Sequence, residues 1–414
     1  MNPDLPSAVT ALLRYGPRLA ALADYLRAGP ADDVVLVDRT GALTRRGLSA
    51  AVDAARDPSG APLRRVAGRH DRTPLVAALA AALDGADVLV VHPATPTDEA
   101  VPAVGTPRGR LWLGTSGTTR VPQVSARPRY GPGLLRPVRH VWRRWGLADD
   151  IGPVLVQPPL HHGYGLGMAL AALVARRTVL LPSGGEGLGT MLTEHRPHLT
   201  VSVPSQLAAL PVVPGWRPRV MVTGSGPLPV AVQQQVLDDF GPVLHNLFGS
   251  TEAGFATMAD PGDLRRSPGC VGRPLPGVRI RLVAGRLEVH SPFATDPYGW
   301  VATGDRAHLD GHGLLVLDGR IDRVAVVDGL NLYLDEVVRV LRRHPAVAAA
   351  DAEAVPDPVT GQRVEASVRL CRAVTAHELE AWVRRQAGPR WRLRVRTTGL
   401  TGPAESSSAP SCPP

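Results

Sequence analysis

The chain has 414 residues, 44% of them hydrophobic and 20% charged, a balance typical of a soluble globular protein with two or three domains. The net charge of +9 comes from 46 basic residues that are all arginine. They are scattered rather than gathered into the long basic runs of nucleic-acid-binding tails. We therefore expect anionic small molecules as partners, and not nucleic acid.

The start of the chain and its cysteines bear on the cellular compartment of the protein. Residues 1–6 lack the basic segment that opens a secretory signal. The cysteines, Cys270, Cys371 and Cys412, are widely spaced and predict neither a disulfide framework nor a zinc site. Residues 154–175 lack acidic and basic side chains, but their prolines, histidines and glycines argue against a membrane-spanning helix. We expect a cytoplasmic protein without a membrane span.

Helix and strand patterns alternate along the first half of the chain. Apolar residues at helical spacing predict helices over residues 8–27, 44–55, 74–83, 165–176 and 229–240. Short apolar runs predict buried strands over residues 34–37, 87–91, 154–156, 179–181, 200–203 and 219–222. This alternation is typical of a parallel sheet covered by helices.

The pattern changes after residue 278. A hairpin is predicted over residues 278–290, and short strands over 300–303 and 314–317. Further strands at 324–327, 346–355, 363–370 and 393–396 alternate with helices at 334–343 and 376–386. We predict an α/β protein: a large N-terminal domain of helix-covered mixed sheets with a β-rich subdomain (1–318), and a small C-terminal α+β domain (319–399). A disordered Ser/Pro-rich tail (400–414) follows.

A turn made of glycine and hydroxyl residues follows the apolar residues 111–113. Its members are Thr115, Ser116, Gly117, Thr118 and Thr119. Glycine lets the backbone approach a ligand, and exposed N–H groups and hydroxyls suit a polyphosphate. The Gly-Lys-Ser/Thr ending of a Walker loop is missing. An ordinary Ser/Thr-rich turn is the alternative.

Three more glycine-rich clusters lie on this frame. Residues 223–228 (TGSGPL) follow a strand and would let a flat ring approach the backbone. Residues 245–254 (HNLFGSTEAG) place an aromatic ring, an amide, a hydroxyl and one carboxylate close together. The third cluster combines residues 298–305 (YGWVATGD) with residues 319–322 (GRID). Each cluster alone is weak evidence for a binding site, because glycine-rich turns in a chain with 43 glycines usually form ordinary loops.

Together, in this order and spacing, the clusters resemble the adenylate-forming, AMP-binding superfamily of acyl-CoA synthetases, luciferases and adenylation domains of peptide synthetases. The phosphate loop of that family, T-S-G-T-T-G-x-P-K, is similar to residues 115–123 except at Arg120 and Gln123. Its Y-G-x-T-E, T-G-D and G-R-x-D motifs resemble residues 248–252, 303–305 and 319–322. The resemblance covers roughly residues 30–400.

The resemblance implies a role for each matched residue. The residues 115–119 would hold the ATP phosphates. The adenine side of the site would be formed by Ser225, Gly226, Pro227, Asn246, Phe248 and Gly249, with the Phe248 ring stacking on the purine. Thr251 would contact the α-phosphate, and Glu252 would bind Mg²⁺, a cation that prefers oxygen ligands.

The remaining matches lie elsewhere in the chain. Asp305 would accept hydrogen bonds from the ribose hydroxyls, and Arg320 would support it. Asp322 would be the hinge on which the small domain rotates between two half-reactions. His162 would lie near the acyl pocket, and its alternative is a packed loop histidine.

The two lysines of the family are missing. Arg120 and Gln123 replace the glycine and lysine of the phosphate loop, and residues 406–408, all serine, stand where the small domain would carry its lysine. Removing one preorganised donor at a developing negative charge costs about 10²–10³ in rate. Arg120 is the candidate to compensate, because a guanidinium binds phosphate in a bidentate manner.

The resemblance implies that a small carboxylic acid reacts with MgATP to form an acyl-adenylate. The acyl group is then transferred from the adenylate to a thiol. The thiol would belong to CoA or to the phosphopantetheine of an acyl carrier protein. Residues 161–166 lack the aspartate that binds the amine in amino-acid-activating relatives, which favours a plain acid. The missing lysines leave two alternatives open: a non-catalytic homologue that binds nucleotide or acyl-adenylate, and an enzyme that retains only thiol transfer.

Overall fold

A computed structural model of the chain describes residues 19–57, 59–91, 93, 111–114, 124–126, 135–147, 152–250, 252–294, 296–321, 323–327, 330–357, 361–387 and 393–400. By its internal contacts the chain divides into two compact units. The first consists of Met1–Ile280 and Val289–Val301, and the second of Arg281–Glu288 and Ala302–Pro414. The predicted domain boundary after residue 318 stays a prediction.

A nine-stranded sheet forms the centre of the first unit. Its strands are β1 (Val34–Asp38), β2 (Gly41–Thr44), β7 (Val154–Val156), β8 (Val179–Leu180), β9 (Leu199–Ser202), β10 (Val220–Gly224), β11 (Leu244–Ser250), β12 (Gly254–Ala259) and β13 (Arg273–Pro274). The strand order is β13-β12-β11-β10-β9-β7-β8-β1-β2. The six strands from β11 to β1 run parallel, and β2, β12 and β13 add antiparallel edges.

A second sheet of this unit has four strands. They are β3 (Leu63–Ala67), β4 (Asp87–Val91), β5 (Leu111–Gly114) and β6 (Val124–Ala126). The first three run parallel, and β6 pairs antiparallel with β5, so that Gly114 lies opposite Val124. The two ends of the predicted phosphate loop are therefore held by paired strands.

Nine helices belong to the described part of the first unit. They are α1 (Leu19–Arg27), α2 (Arg45–Ala54), α3 (Thr73–Leu83), α4 (Leu135–Arg144), α5 (Gly163–Val174), α6 (Gly184–His195), α7 (Pro204–Ala208), α8 (Val230–Phe240) and α9 (Pro261–Arg266). Helices α3 and α5 bury apolar residues on most of their faces, as expected for helices within the core of a large domain.

The second unit is mainly β-structure. One sheet consists of β14 (Arg279–Val283), β15 (Arg286–His290), β16 (Val301–Leu309) and β17 (Leu315–Arg320). The other has β18 (Val324–Val327), β19 (Leu330–Tyr333), β20 (Val347–Asp357), β21 (Gly361–Leu370) and β22 (Leu393–Leu400). Helices α10 (Leu334–Arg342) and α11 (Ala376–Ala387) complete the unit. Their side chains Val337, Leu341, Leu379 and Val383 share a core with Val364 of β21.

The predicted fold class is confirmed: helix-covered mixed sheets, a β-rich part and a small C-terminal α+β part are all present. Of the predicted first helix, residues 19–27 are helical and residues 8–18 lie outside the described residues, as does most of the predicted tail. No helix in the described part of the chain is both long and apolar enough to cross a membrane.

Two features of the structure were not predicted from the sequence. Cys371 is disulfide-bonded, although the three cysteines predicted no disulfide framework, and Cys270 is buried. Helix α6 was missed because it carries four glycines, each of which disfavours helix by about 1 kcal/mol. Burial of Met191 and Leu192 against the domain stabilises it instead.

Glycine has opposite roles at two helical positions. A Cβ atom at Gly165 of α5 would lie 2.4 Å from the carbonyl oxygens of both Pro158 and Pro159, whereas one at Gly189 of α6 would meet nothing within 4 Å. We expect Gly165→Ala to destabilise the protein by about 1–3 kcal/mol through overpacking. Gly189→Ala should stabilise it by about 0.5–1 kcal/mol. Urea denaturation measures both, and equal stability of the two variants would contradict the close packing at Gly165.

A buried histidine makes stability depend on pH. His245 of β11 is 6% exposed, and burial lowers its pKa from 6.5 to about 4. The native ring is therefore neutral, and the unfolded ring takes up a proton below pH 6.5. Stability should fall as pH falls from 6.5 to 4, with up to about 3 kcal/mol due to this residue. In His245→Gln this decline should be shallower than in wild type and in the exposed control His308→Gln. Parallel stability curves of all three proteins would refute this.

Candidate functional site

Strands β7, β9, β10 and β11 lie side by side and parallel, so their carboxyl ends meet at one edge of the sheet. In open α/β sheets this edge binds ligands. Polar side chains gather there: the buried Gln157 Nε2 donates to the buried Ser202 Oγ at 2.6 Å, and the half-buried Gln206 Nε2 donates to the Gln157 carbonyl at 3.0 Å. The sequence interpretation missed this group, although a polar residue directly after an apolar strand is a usable signal.

The predicted adenine loop begins with a strained residue. Ser225 directly follows β10 with φ of +63°, a left-handed conformation that costs a non-glycine residue about 1–2 kcal/mol. Ser225, Gly226 and Pro227 are all exposed. A Cβ atom at Gly224 would lie 2.4 Å from the Leu247 carbonyl oxygen of β11. The close strand pairing and the sharp turn together leave an open backbone ledge at the carboxyl end of β10.

The corner between β11 and β12 presents Glu252. The register shifts between Phe248 and Gly249, and a Cβ atom at Gly249 would lie 2.2 Å from the Gly254 carbonyl oxygen. Such a bulge bends the strand and re-aims the residues that follow. Ser250 Oγ accepts a hydrogen bond from the Ala253 backbone N–H at 3.0 Å and tightens the turn. Glu252 is half-buried at the tip of this corner.

Two other predicted adenine residues lie on β11. Asn246 is 2% exposed, and its Nδ2 donates to the Cys270 carbonyl at 2.9 Å, so part of its amide already has a structural partner. Phe248 is 9% exposed. Their proximity to a purine stays a prediction.

His162 lies immediately before helix α5, in extended backbone conformation at the N-cap position. Two residues further on, the buried Tyr164 hydroxyl donates to the Val222 carbonyl at 3.3 Å, which ties this helix start to β10. The rings of His161 and His162 are 4.2 Å apart, and His161 Nδ1 lies 3.2 Å from the Gly68 carbonyl oxygen. His162 and the adenine loop are therefore held to the same edge of the sheet.

The predicted ribose group forms in the second unit. Asp305 is 9% exposed on β16 and lies opposite Arg320 of β17. Arg320 Nη1 donates to the Thr303 carbonyl at 2.9 Å and to Asp305 Oδ1 at 3.4 Å. Its guanidinium lies across Gly304, where a Cβ atom would come within 2.7 Å of Nη2. The T-G-D and G-R segments therefore pack together as one group, and Gly304 is required for this packing.

A network that the sequence interpretation missed anchors the chain on both sides of the predicted hinge. Asp335 Oδ2 accepts from the Arg320 backbone N–H at 2.8 Å, and its Oδ1 accepts from Arg323 Nε at 2.6 Å. Arg323 Nη2 also donates to Asp351 Oδ1 at 2.7 Å. Burial acts to lower the pKa of Arg323, but the two carboxylates outweigh it, so that the pKa is raised. The sequence signal for this network is an acidic residue in the first turn of α10. Such a residue is common in surface helices, so by itself it does not indicate the network.

Several predicted site residues lie outside the described residues. They are Thr115, Ser116, Gly117, Thr118, Thr119, Arg120, Thr251, Asp322 and the serines at 406–408. In the part of the chain that is described, no three His, Cys, Asp or Glu side chains group into a metal cage. The role of Glu252 as a magnesium ligand therefore stays a prediction that rests on one carboxylate.

The sequence model for the AMP-binding enzyme family matches residues 115–292, and that for the AMP-binding enzyme C-terminal domain matches residues 336–397. Indoleacetate–CoA ligase of Aromatoleum aromaticum is 30% identical over 281 residues, which are 60% of this chain and 54% of that protein. The mitochondrial malonate–CoA ligase ACSF3 of Mus musculus is 28% identical over 373 residues, 72% of this chain and 63% of that one. The chain thus spans between about half and two thirds of the length of these curated relatives.

Solved structures share the fold. The o-succinylbenzoate CoA synthetase (MenE) from Bacillus subtilis, in complex with the acyl-adenylate intermediate OSB-AMP, has a TM-score of 0.75 and covers 91% of this chain and 94% of that one. Its sequence identity is 19%, so it shows the fold alone. The two family matches together cover more than half of the chain. The chain belongs to the adenylate-forming, AMP-binding enzyme family.

Proposed function

We propose that the chain is an AMP-forming acid–thiol ligase. It activates a small carboxylic acid with ATP to an acyl-adenylate, releases pyrophosphate, and transfers the acyl group to a thiol. Support comes from family membership and from relatives that are named as CoA ligases of carboxylic acids. The acceptor is CoA or the phosphopantetheine of a carrier protein.

The single observation that carries this proposal is the arrangement around Asp305. Asp305 is 9% exposed on β16, and Arg320 Nη1 lies 3.4 Å from its Oδ1 while it donates to the Thr303 carbonyl at 2.9 Å. The carboxylate is thus held in place beside a cation at the end of the T-G-D segment. An ionised carboxylate accepts strong hydrogen bonds from hydroxyl groups, and the two neighbouring hydroxyls of a ribose match its two oxygens.

The first unit carries groups of its own that suit a nucleotide. The ledge at Ser225 and Gly226 has no bulky side chain at its apex, so it fits a flat purine. Glu252 stands half-buried at a fixed corner, and a carboxylate in that position fits Mg²⁺. When bound, Mg²⁺ would neutralise charge on the phosphates. We assign the triphosphate itself to residues 115–119 and Thr251, and the acid to the side of His162.

The rival function is a non-catalytic nucleotide-binding homologue, and the observation that favours it is the absence of lysine from the whole chain. We propose that Arg120 replaces the missing cation of the loop. In the small domain, residues 406–408 offer only hydroxyl groups. Adenylation should therefore suffer more than thiol transfer, which does not use that lysine in the family.

Nucleotide binding tests the ribose assignment. We expect Asp305→Ala to weaken AMP binding by about 10- to 100-fold, because hydrogen bonds to a charged group contribute about 1.5–3 kcal/mol. Asp318→Ala is the matched control, since it removes a more exposed carboxylate of the same unit that pairs with His308. Calorimetry on the folded variants measures both affinities. Unchanged AMP affinity in Asp305→Ala would remove the ribose role.

The two half-reactions test the proposed function. Pyrophosphate exchange with a panel of carboxylic acids reports adenylation, and thioester formation from a supplied acyl-adenylate reports thiol transfer. We expect wild type to perform transfer faster than adenylation, Arg120→Gly to lose residual adenylation, and Ser407→Lys to raise it.

The same assays separate the alternatives. Activity in thiol transfer alone would identify an enzyme of one half-reaction. Nucleotide binding without either reaction would establish the non-catalytic homologue. Robust adenylation that is insensitive to Arg120→Gly would contradict compensation by that arginine.

A further inference from the structure

Helix α4 has an apolar side and a polar side, and arginine and histidine alone form the polar side. Because successive residues are rotated by about 100° around a helix, one side of α4 carries positions 136, 139, 140, 143 and 144. The four arginines among them are exposed. Trp142 and the adjoining Trp145 lie on the opposite side and are 6% and 3% exposed. The apolar side therefore packs on the protein, and the arginines face outward.

One of the four arginines has a carboxylate partner. Arg144 Nη2 donates at 2.7 Å to Oδ2 of Asp260, the residue that caps helix α9. The helix itself contains no acidic residue. Within the described part of the chain, no side-chain hydrogen bond or ion pair is formed by Arg136, Arg139 or Arg143. We call these three residues the basic face of α4. They place three uncompensated charges along about 10 Å of helix axis.

The basic face opposes the stability of its own helix. Like charges three or four positions apart repel each other, and the pairs 136–139 and 139–143 have this spacing. Arg136 also lies in the first turn, where the positive end of the helix dipole disfavours a cation. Two other helices with arginines in their last turns, α10 and α11, carry acidic residues in their first turns. Helix stability therefore does not explain the basic face, and burial of the two tryptophans has to offset it.

We propose that the basic face of α4 is a docking surface for an acidic helix of a partner protein. A helix with carboxylates at every third or fourth position repeats with the same spacing as the three arginines, so the ion pairs form side by side. A guanidinium also matches a carboxylate in shape, because it can donate two parallel hydrogen bonds to it. None of the three arginines is assigned to the nucleotide or to the acid, so the proposal does not rest on the proposed function.

The side chains around the basic face favour a protein over other polyanions. A helix that binds a membrane surface buries its apolar side in the lipid, but the apolar side of α4 is already buried in the protein. Proteins that bind single-stranded nucleic acid stack its bases on exposed aromatic rings, and Trp142 and Trp145 are not accessible for stacking. The basic face supplies charge and hydrogen-bond donors alone, which suits carboxylates.

Binding of a model peptide to the full-length chain tests the proposal. The probe is a fluorescein-labelled alanine-based peptide of about 20 residues with glutamates along one helical face, and the control peptide has the same composition with its glutamates spread around the helix. The double variant Arg139→Gln/Arg143→Gln is compared with Arg46→Gln/Arg219→Gln, which removes two exposed arginines elsewhere in the same unit. We expect fluorescence anisotropy to show about five- to tenfold weaker binding of the probe in the first variant only. Added salt should weaken binding to wild type, because exposed ion pairs are screened.

Stability and other polyanions complete the test. Relief of the repulsion should leave the Tm of Arg139→Gln/Arg143→Gln unchanged or raise it. A Tm below that of the control variant would show that these arginines stabilise the fold, and would overturn the proposal. Equal binding of the two peptides, or equal losses in the two variants, would overturn it as well, because attraction by net charge would then suffice. Tighter binding of phosphatidylserine vesicles or of a DNA duplex, lost in the same variant, would reassign the surface to a membrane or to nucleic acid. Ligase activity is not measured, so failure of the proposed function leaves the outcome intact.

Discussion

The pairing of β10 with β11 is the constraint on which the candidate site of the first unit depends. The two strands run parallel with Gly224 opposite Leu247, and the Leu247 carbonyl occupies the space that a side chain at residue 224 would need. Because the backbones meet so closely, β10 must end in glycine, and the chain turns away at Ser225 in a left-handed conformation. The ledge at Ser225 is a consequence of this register, and the Glu252 corner follows at the far end of β11, where the register with β12 shifts.

A similar close approach organises the second unit, but there a charged side chain takes part. The guanidinium of Arg320 lies over Gly304 and reaches the Thr303 carbonyl and Asp305 from the adjacent strand. The Arg320 side chain is 45% exposed, so its ion pair with Asp305 contributes about 0–1 kcal/mol to stability. Its importance is positional, since it orients a buried carboxylate while Asp335 holds the backbone of the same arginine.

A chain without lysine has to meet every demand for positive charge with arginine. In the described residues, arginines cap helix ends, pair with buried aspartates and line a cavity beside α1. Arginine performs these tasks well because it is planar and has five donors. It is a poorer substitute where a single compact charge on a flexible stem must enter a phosphate site. The missing lysines therefore bear on the proposed adenylation and not on the fold.

Much of the architecture follows from the sequence, because apolar periodicity and glycine turns act over a few residues. The alternating strands from Val154 to Gly224, the hairpin at Ala284-Gly285 and the helices at both ends of the C-terminal core all agree with their local patterns. The clusters around Ser225, Glu252 and Asp305 were also recognisable, since each keeps its motif within a few positions. Their roles toward a ligand remain predictions.

Tertiary structure decided what depends on distant partners. Helix α6 forms against its glycine content because Met191 and Leu192 are buried by the rest of the domain. The bond from Gln157 to Ser202 joins residues 45 positions apart, and the link from Arg323 to Asp351 spans 28. The disulfide at Cys371 was not expected from three widely spaced cysteines. The cavity beside α1 is lined by Arg45 together with Arg176 and Arg177. No local pattern contains such pairs, because their energy arises only when the sheet brings the segments together.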